Sequence, residues 1–159
     1  MGNYHIRNAE KEITDKEEIF RLLKLGKYST IALANNSIPY IFTISYGFDE
    51  TNNVLYFHSS RIGQKIEFIK KNPIACATII EDQGYNKEKC EHYYNSLIIK
   101  GRIIIIDNLD EKKKGLGILL KHLEDHPDPI RERNIADDKS YDKVTILKFI
   151  IEEVTAKHN

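Results

Sequence analysis

The stretch that decides the fold runs from Ser29 to Ser59, STIALANNSIPYIFTISYGFDETNNVLYFHS. Three runs rich in β-branched and aromatic residues stand in it: Ser29 to Ala34, Ile38 to Phe48, and Val54 to Ser59. They are separated by two turn signals, Asn35-Asn36-Ser37 and Asp49 to Asn53. The first two runs read as a hairpin. Three strands this close together leave no room for the crossovers of regular βαβ units, about 30 residues each, so the sheet is expected to be antiparallel.

Upstream, Thr14 and Glu17 read as a capping box opening a helix whose apolar stripe is Ile19, Phe20, Leu22 and Leu23, with Gly26 ending it. Downstream, Gly63 to Asn72 reads as a short helix with Ile62, Ile66 and Ile69 on one side, stopped by Pro73. Ile74 to Ile80 resumes strand character, and Asp82 to Glu91 reads as a loop or short helical insertion. Ser96 to Ile106 is a long β-branched strand with almost no alternation, which implies cover on both faces, one of them from a partner subunit. Glu111 to Leu123 is helical and ends before the prolines of His126 to Pro129; Val144 to Ile151 is a final strand. The pattern predicts a mainly β, antiparallel six-stranded barrel with peripheral helices, in one domain spanning residues 1–159.

Charge and cysteines narrow the partners. Lys plus Arg and Asp plus Glu each total 24, so the formal net charge is zero and no global field draws in nucleic acid or anionic membrane. Cys76 and Cys90 form neither a metal-type pair nor a disulfide framework, as expected of a reducing compartment. Met1 to Glu12 has no apolar core of a secretory signal, and no apolar run approaches the roughly 20 residues of a membrane helix, so a cytoplasmic protein is expected.

Two stretches carry candidate chemistry. In the second strand Tyr40, Phe42, Ile44 and Tyr46 should project to one face, and Thr43, Ser45 and Gly47 to the other. The small polar strip suits a flat heteroaromatic ligand or a solvated outer face. The segment His58-Ser59-Ser60-Arg61-Ile62-Gly63-Gln64-Lys65 leaves a strand and enters a helix with hydroxyls, cations and a glycine. It reads either as a phosphate cradle at a helix N-terminus or as a capped helix start with solvated cations. His58 should share a face with Tyr56. His122 and His126, four apart, lack a third metal ligand and sit where a helix dipole explains them, so no metal is expected. Cys90 and His92 have no third partner for nucleophilic catalysis, and residues 111–114 read as a solvated helix face.

With these segments laid out, the chain resembles the FMN-binding split-barrel superfamily, in the branch related to pyridoxamine 5′-phosphate oxidase that includes the nitroimidazole-resistance proteins. The resemblance rests on Ile13 to Ser29, Pro39 to Tyr46, LYFHSSRIGQK (Leu55 to Lys65), KKNPIA (Lys70 to Ala75), YYNSLIIKGR (Tyr93 to Arg102) and ILKFIIEEVTAK (Ile146 to Lys157). It implies a homodimer holding FMN in clefts between subunits, and an oxidoreductase acting on a small molecule with NAD(P)H as a transient donor. It further implies Thr43, Ser45 and Tyr46 at the isoalloxazine ring, and His58 and Ser59 at the flavin or its ribityl chain. Arg61, Gly63, Gln64 and Lys65 would hold the phosphate, with Ser96 nearby. His58 is the candidate for positioning or proton donation. The arginine-rich C-terminal motif of the true oxidases is missing, the chain ending VTAKHN, and Thr155-Ala156-Lys157 stands where many relatives read Thr-Gly-Lys. The competing expectations are a non-catalytic flavin module and a haem-binding split barrel with His126 or His158 as ligand.

Overall fold

The computed structural model describes residues 6–135 and 137–159. The first five residues of the leader reading, Tyr4 and His5 among them, lie outside the described residues. Seven strands form one antiparallel sheet: β1 (Tyr28–Asn35), β2 (Ile38–Ser45), β3 (Gly47–Asp49), β4 (Val54–Ser59), β5 (Ile74–Asn86), β6 (Glu91–Ile106) and β7 (Thr145–His158). Their spatial order is β2-β1-β5-β6-β7-β4-β3. Among the described residues four α-helices accompany them: α1 (Lys16–Leu25), α2 (Gln64–Lys71), α3 (Leu109–Leu123) and α4 (Pro127–Asn134).

The expected six strands become seven at Tyr46. The run from Ile38 to Phe48 is not one strand: β2 pairs with β1, Tyr46 breaks the ladder, and β3 pairs with β4 at the other edge of the sheet. The two sheet edges are therefore consecutive segments of chain, and this bend closes the sheet into the split barrel. Asn36 and Ser37, both at positive φ (48° and 64°), make the two-residue turn that sets the β1–β2 register.

The barrel interior holds Ile31, Leu33, Leu55, Phe57, Leu97, Ile99, Leu147 and Phe149, plugged by Leu22 and Leu23 of α1 and by Ile66 and Ile69 of α2. A second cluster lies outside the barrel, where Leu116 and Leu119 of α3 cover Val54, Tyr56 and Ile146. Helix α3 comes so close that a Cβ on Gly47 would stand 2.5 Å from the Leu119 Cα.

Several local expectations are corrected. Asp15, one residue after Thr14, caps α1 by accepting the Glu17 N–H at 3.0 Å. Ile62 precedes α2 and is exposed. The polar stretch from Asp82 to Glu91 is no insertion: β5 and β6 run through it as a hairpin with an irregularity between Asp82 and Tyr85, where Gly84 takes φ 94°. The prolines after α3 also open α4, with Pro127 at its first turn. In β6, Leu97, Ile99 and Ile103 face the barrel, and Ile98 and Ile104 are exposed in the protomer.

Candidate functional site

Helix α2 begins without a side-chain cap. Gly63 occupies the N-cap at φ 133°, a conformation L residues rarely adopt, with open space where a Cβ would sit. Its carbonyl accepts the Ile66 and Glu67 amides at 3.0 and 3.2 Å, and the amides of Gln64 and Lys65 find no acceptor among the described residues. The Lys65 Nζ lies 5.3 Å from the Phe42 ring centroid, which ties the helix start to β2. Neither Arg61 nor Lys65 makes an ion pair among the described residues.

Just before the turn, β4 buries Ser59 and leaves its Oγ without a hydrogen-bond partner. An unmatched buried hydroxyl costs about 1–3 kcal/mol. Open amides, a glycine that lets a ligand approach and the unpaired Lys65 ammonium fit a dianionic phosphate.

The outer face of the sheet carries a second set of polar atoms. Register places Thr43 opposite Thr30, and Thr30 opposite Thr78, in one row across β2, β1 and β5. The Thr30 and Thr43 hydroxyls share a hydrogen bond of 2.9 Å. Ser45 lies opposite Tyr28, and Ser96 lies between Ile80 and Lys157. Thr78, Ile80, His92, Tyr94, Ser96 and Lys157 line a cavity of about 470 Å³ on this face. Apolar side chains surround it, with Tyr28 65%, Ile41 68% and Ile80 59% exposed.

His58 lies on neither of these surfaces. It shares the α3 side of β4 with Val54 and Tyr56 and lines a cavity of about 350 Å³ with Leu116, Leu120, Ile130, Arg131 and Asn134. Desolvation, and then the Lys65 charge, lower its pKa below the usual histidine value.

The sequence-predicted residues thus fall in separate places. Thr43, Ser45 and Ser96 are on the outer face; Gly63, Gln64 and Lys65 form the α2 entrance. Arg61 lines a different cavity, on the flank of α2 that carries Ile66 and Lys70. His58 and Ser59 were expected against one ligand, but as neighbours on β4 they point to opposite faces. Tyr46 was expected at the ring; its side chain is fully buried instead, and its hydroxyl donates to the Leu23 carbonyl at 2.7 Å. Burial raises its pKa.

His122 and His126 do not converge. His122 packs against Tyr46 at 4.9 Å and its Nε2 bonds the Gly26 carbonyl at 2.6 Å, while His126 precedes α4 without a capping hydrogen bond and is exposed. No group of three potential metal ligands exists among the described residues. His158, at the end of β7, is exposed as well. Thr30 and Thr78 escaped the sequence reading, and Lys157 entered it only as part of Thr155-Ala156-Lys157. The alternation of small residues in β1 and β5 was the available signal, but only cross-strand register shows that they share a row with Thr43 or border Ser96.

The family model for pyridoxamine 5′-phosphate oxidase matches residues 15–158, and the chain belongs to that family. Solved structures agree on the fold. A candidate 5-nitroimidazole antibiotic resistance protein from Bacteroides thetaiotaomicron superposes with a TM-score of 0.79 at 21% identity, over 99% of this chain and 96% of that one. The flavocytochrome Anf3 from Azotobacter vinelandii gives 0.81 at 16% identity, over 98% and 72%. An FAD and haem binding protein from Mycobacterium smegmatis gives 0.76 at 20%, over 92% and 72%. No curated protein matches the chain.

Proposed function

We propose that the protein is an FMN-binding flavoprotein, working in the cytoplasm as a homodimer that reduces a small molecule with electrons taken from NAD(P)H. The observation that carries the reading is the uncapped start of α2, where Gly63 leaves the Gln64 and Lys65 amides open beside the Lys65 ammonium. Membership of the pyridoxamine 5′-phosphate oxidase family supports it. In this reading the phosphate sits on those amides, held by the Lys65 charge. Thr43, Ser45 and Ser96 offer polar contacts to the ring from the outer sheet face, which a second copy of the chain covers. Arg61, on the other flank of α2, adds positive field.

When bound, the flavin supplies hydride chemistry, and the protein's part is to orient the ring and exclude water. His58, its pKa lowered, is mostly neutral at pH 7 and so offers one ring N–H and one acceptor to a substrate in its cavity. The donor binds transiently, since no G-x-G-x-x-G follows a strand. Both cysteines are free, in keeping with a reducing compartment.

The test is the absorption spectrum of the protein mixed with FMN and freed of excess by gel filtration. About one flavin per chain is expected, with affinity at least about tenfold weaker in Lys65→Ala, equivalent to about 1.4 kcal/mol. A colourless wild-type protein overturns the reading. A haem site is the second reading, since two proteins of similar fold are a flavocytochrome and an FAD and haem binding protein; a Soret band on the purified protein would select it.

A further inference from the structure

We propose that the hollow between the β4–α2 turn, the end of β6 and the start of α3 is an anion site that takes a phosphoryl group, apart from the amides that open α2. The hollow measures about 200 Å³ and receives three cations from three elements: Arg61 from the turn, Lys70 from α2 and Lys112 from α3. None of the three makes an ion pair among the described residues. Asp107 is the sole carboxylate among the lining residues, so the local charge is +2, which matches a dianion.

The two flanks of α2 are distinct. Ile66 and Lys70 are four apart and share one stripe of the helix, and both line the hollow. Lys65 lies about 100° round the helix from Ile66 and reaches Phe42 instead. A second, independent observation comes from the sheet. Thr145 lines the hollow, and Ser59 is its direct partner across the β4–β7 ladder, so both side chains stand on the same face of the sheet. Both residues are more than nine-tenths buried, and Ser59 Oγ has no partner.

The guanidinium and the two ammonium groups bring donors to the hollow, Lys112 keeping one long bond to the Tyr141 carbonyl at 3.4 Å, and the unpartnered Ser59 hydroxyl lies beside Thr145 at its wall. A tetrahedral oxyanion accepts from the three cations and returns no donor that needs a partner; the guanidinium can take two of its oxygens side by side. The volume admits one phosphoryl group with water and excludes a whole nucleotide. The inference does not rest on the flavin reading, because none of the residues lining the hollow belongs to the α2 entrance formed by Gly63, Gln64 and Lys65.

The test is calorimetric titration of inorganic phosphate into the protein at constant ionic strength, with chloride as the reference anion. Wild-type protein should bind phosphate, and Lys70→Gln/Lys112→Gln should bind it at least about tenfold more weakly. Lys112→Arg should retain binding. In phosphate-free buffer the double variant should unfold at the same or a higher temperature than wild type, since two mutually repelling charges are gone. Repeating the titration on FMN-saturated protein separates the sources. Undiminished phosphate binding supports a free anion; competition, with FMN weakened in the same double variant, supports the cofactor's own phosphate in the same hollow. Absence of phosphate binding beyond that of chloride, or equal affinity in the double variant, overturns the proposal. A protein that takes up phosphate but no FMN refutes the flavin reading alone.

Discussion

Tyr46 joins three parts of the molecule through one side chain. Its backbone ends β2, its ring packs against His122 of α3, and its hydroxyl donates to the last turn of α1 at Leu23. Tyr46→Phe removes the donor and leaves the carbonyl unmet in a buried place, so stability should fall by about 1–2 kcal/mol in urea unfolding. Its effect on FMN retention should be small, because the side chain is not on a ligand-facing surface. His122 gives a pH dependence. Desolvation lowers its pKa, the Gly26 contact raises it less, and the Lys27 charge lowers it further. Because the folded protein resists protonating this ring, the unfolded chain binds more protons as pH falls through about 6.5, and stability drops there. Unfolding free energies at pH 8 and pH 5.5 should differ less in His122→Gln than in wild type.

At the scale of elements, the long β6–β7 ladder depends on one irregularity. Register slips between Lys100 and Gly101, where a Cβ on Gly101 would lie 1.9 Å from the Ile150 carbonyl oxygen. Gly101→Ala must push the two central strands apart, at a cost of about 3 kcal/mol, the upper end of overpacking. Differential scanning calorimetry checks this. Helix α1 is tied to β5 by Arg21, whose Nη1 and Nη2 donate to the two Glu81 oxygens at 2.9 and 2.7 Å. That hydrogen bond, outweighing desolvation and helped by Asn95, holds the Glu81 pKa down at about 2. The contribution is present above pH 4.5 and is lost as pH falls toward 2. The pair is partly exposed, so Glu81→Gln should flatten the acid limb of the stability curve by roughly 1 kcal/mol rather than by the full shift.

At the scale of the whole molecule, the open sheet face is the feature that a lone protomer leaves unexplained. Tyr28, Ile41, Ile80 and Ile98 expose apolar surface around a polar row, a pattern that marks an interaction surface. If two copies meet there, Ile41→Asp/Ile98→Asp should sediment as a monomer where wild type sediments as a dimer, and should lose flavin along with the partner. A wild-type monomer at micromolar concentration would remove the dimer from the proposed function. The same geometry explains why the residues expected in one cleft lie apart in the protomer: α2 and the outer face are separate surfaces of a single chain.

Much of this was legible in the sequence, because turns and β-branched runs act locally. The hairpin at Asn36 and Ser37 and the glycine that opens α2 are each specified by a few adjacent residues and their allowed backbone angles. The six family blocks in order carried the fold class. Tertiary structure alone decided the rest. The bend at Tyr46 depends on a second edge strand far away in the sheet, and the hairpin through Asp82 to Glu91 on pairing that overrides a polar composition. The direction of Arg61 away from Lys65 depends on which stripe of α2 faces the barrel. Periodicity reports which side of an element is apolar; which other element that side meets is settled only when the sheet closes.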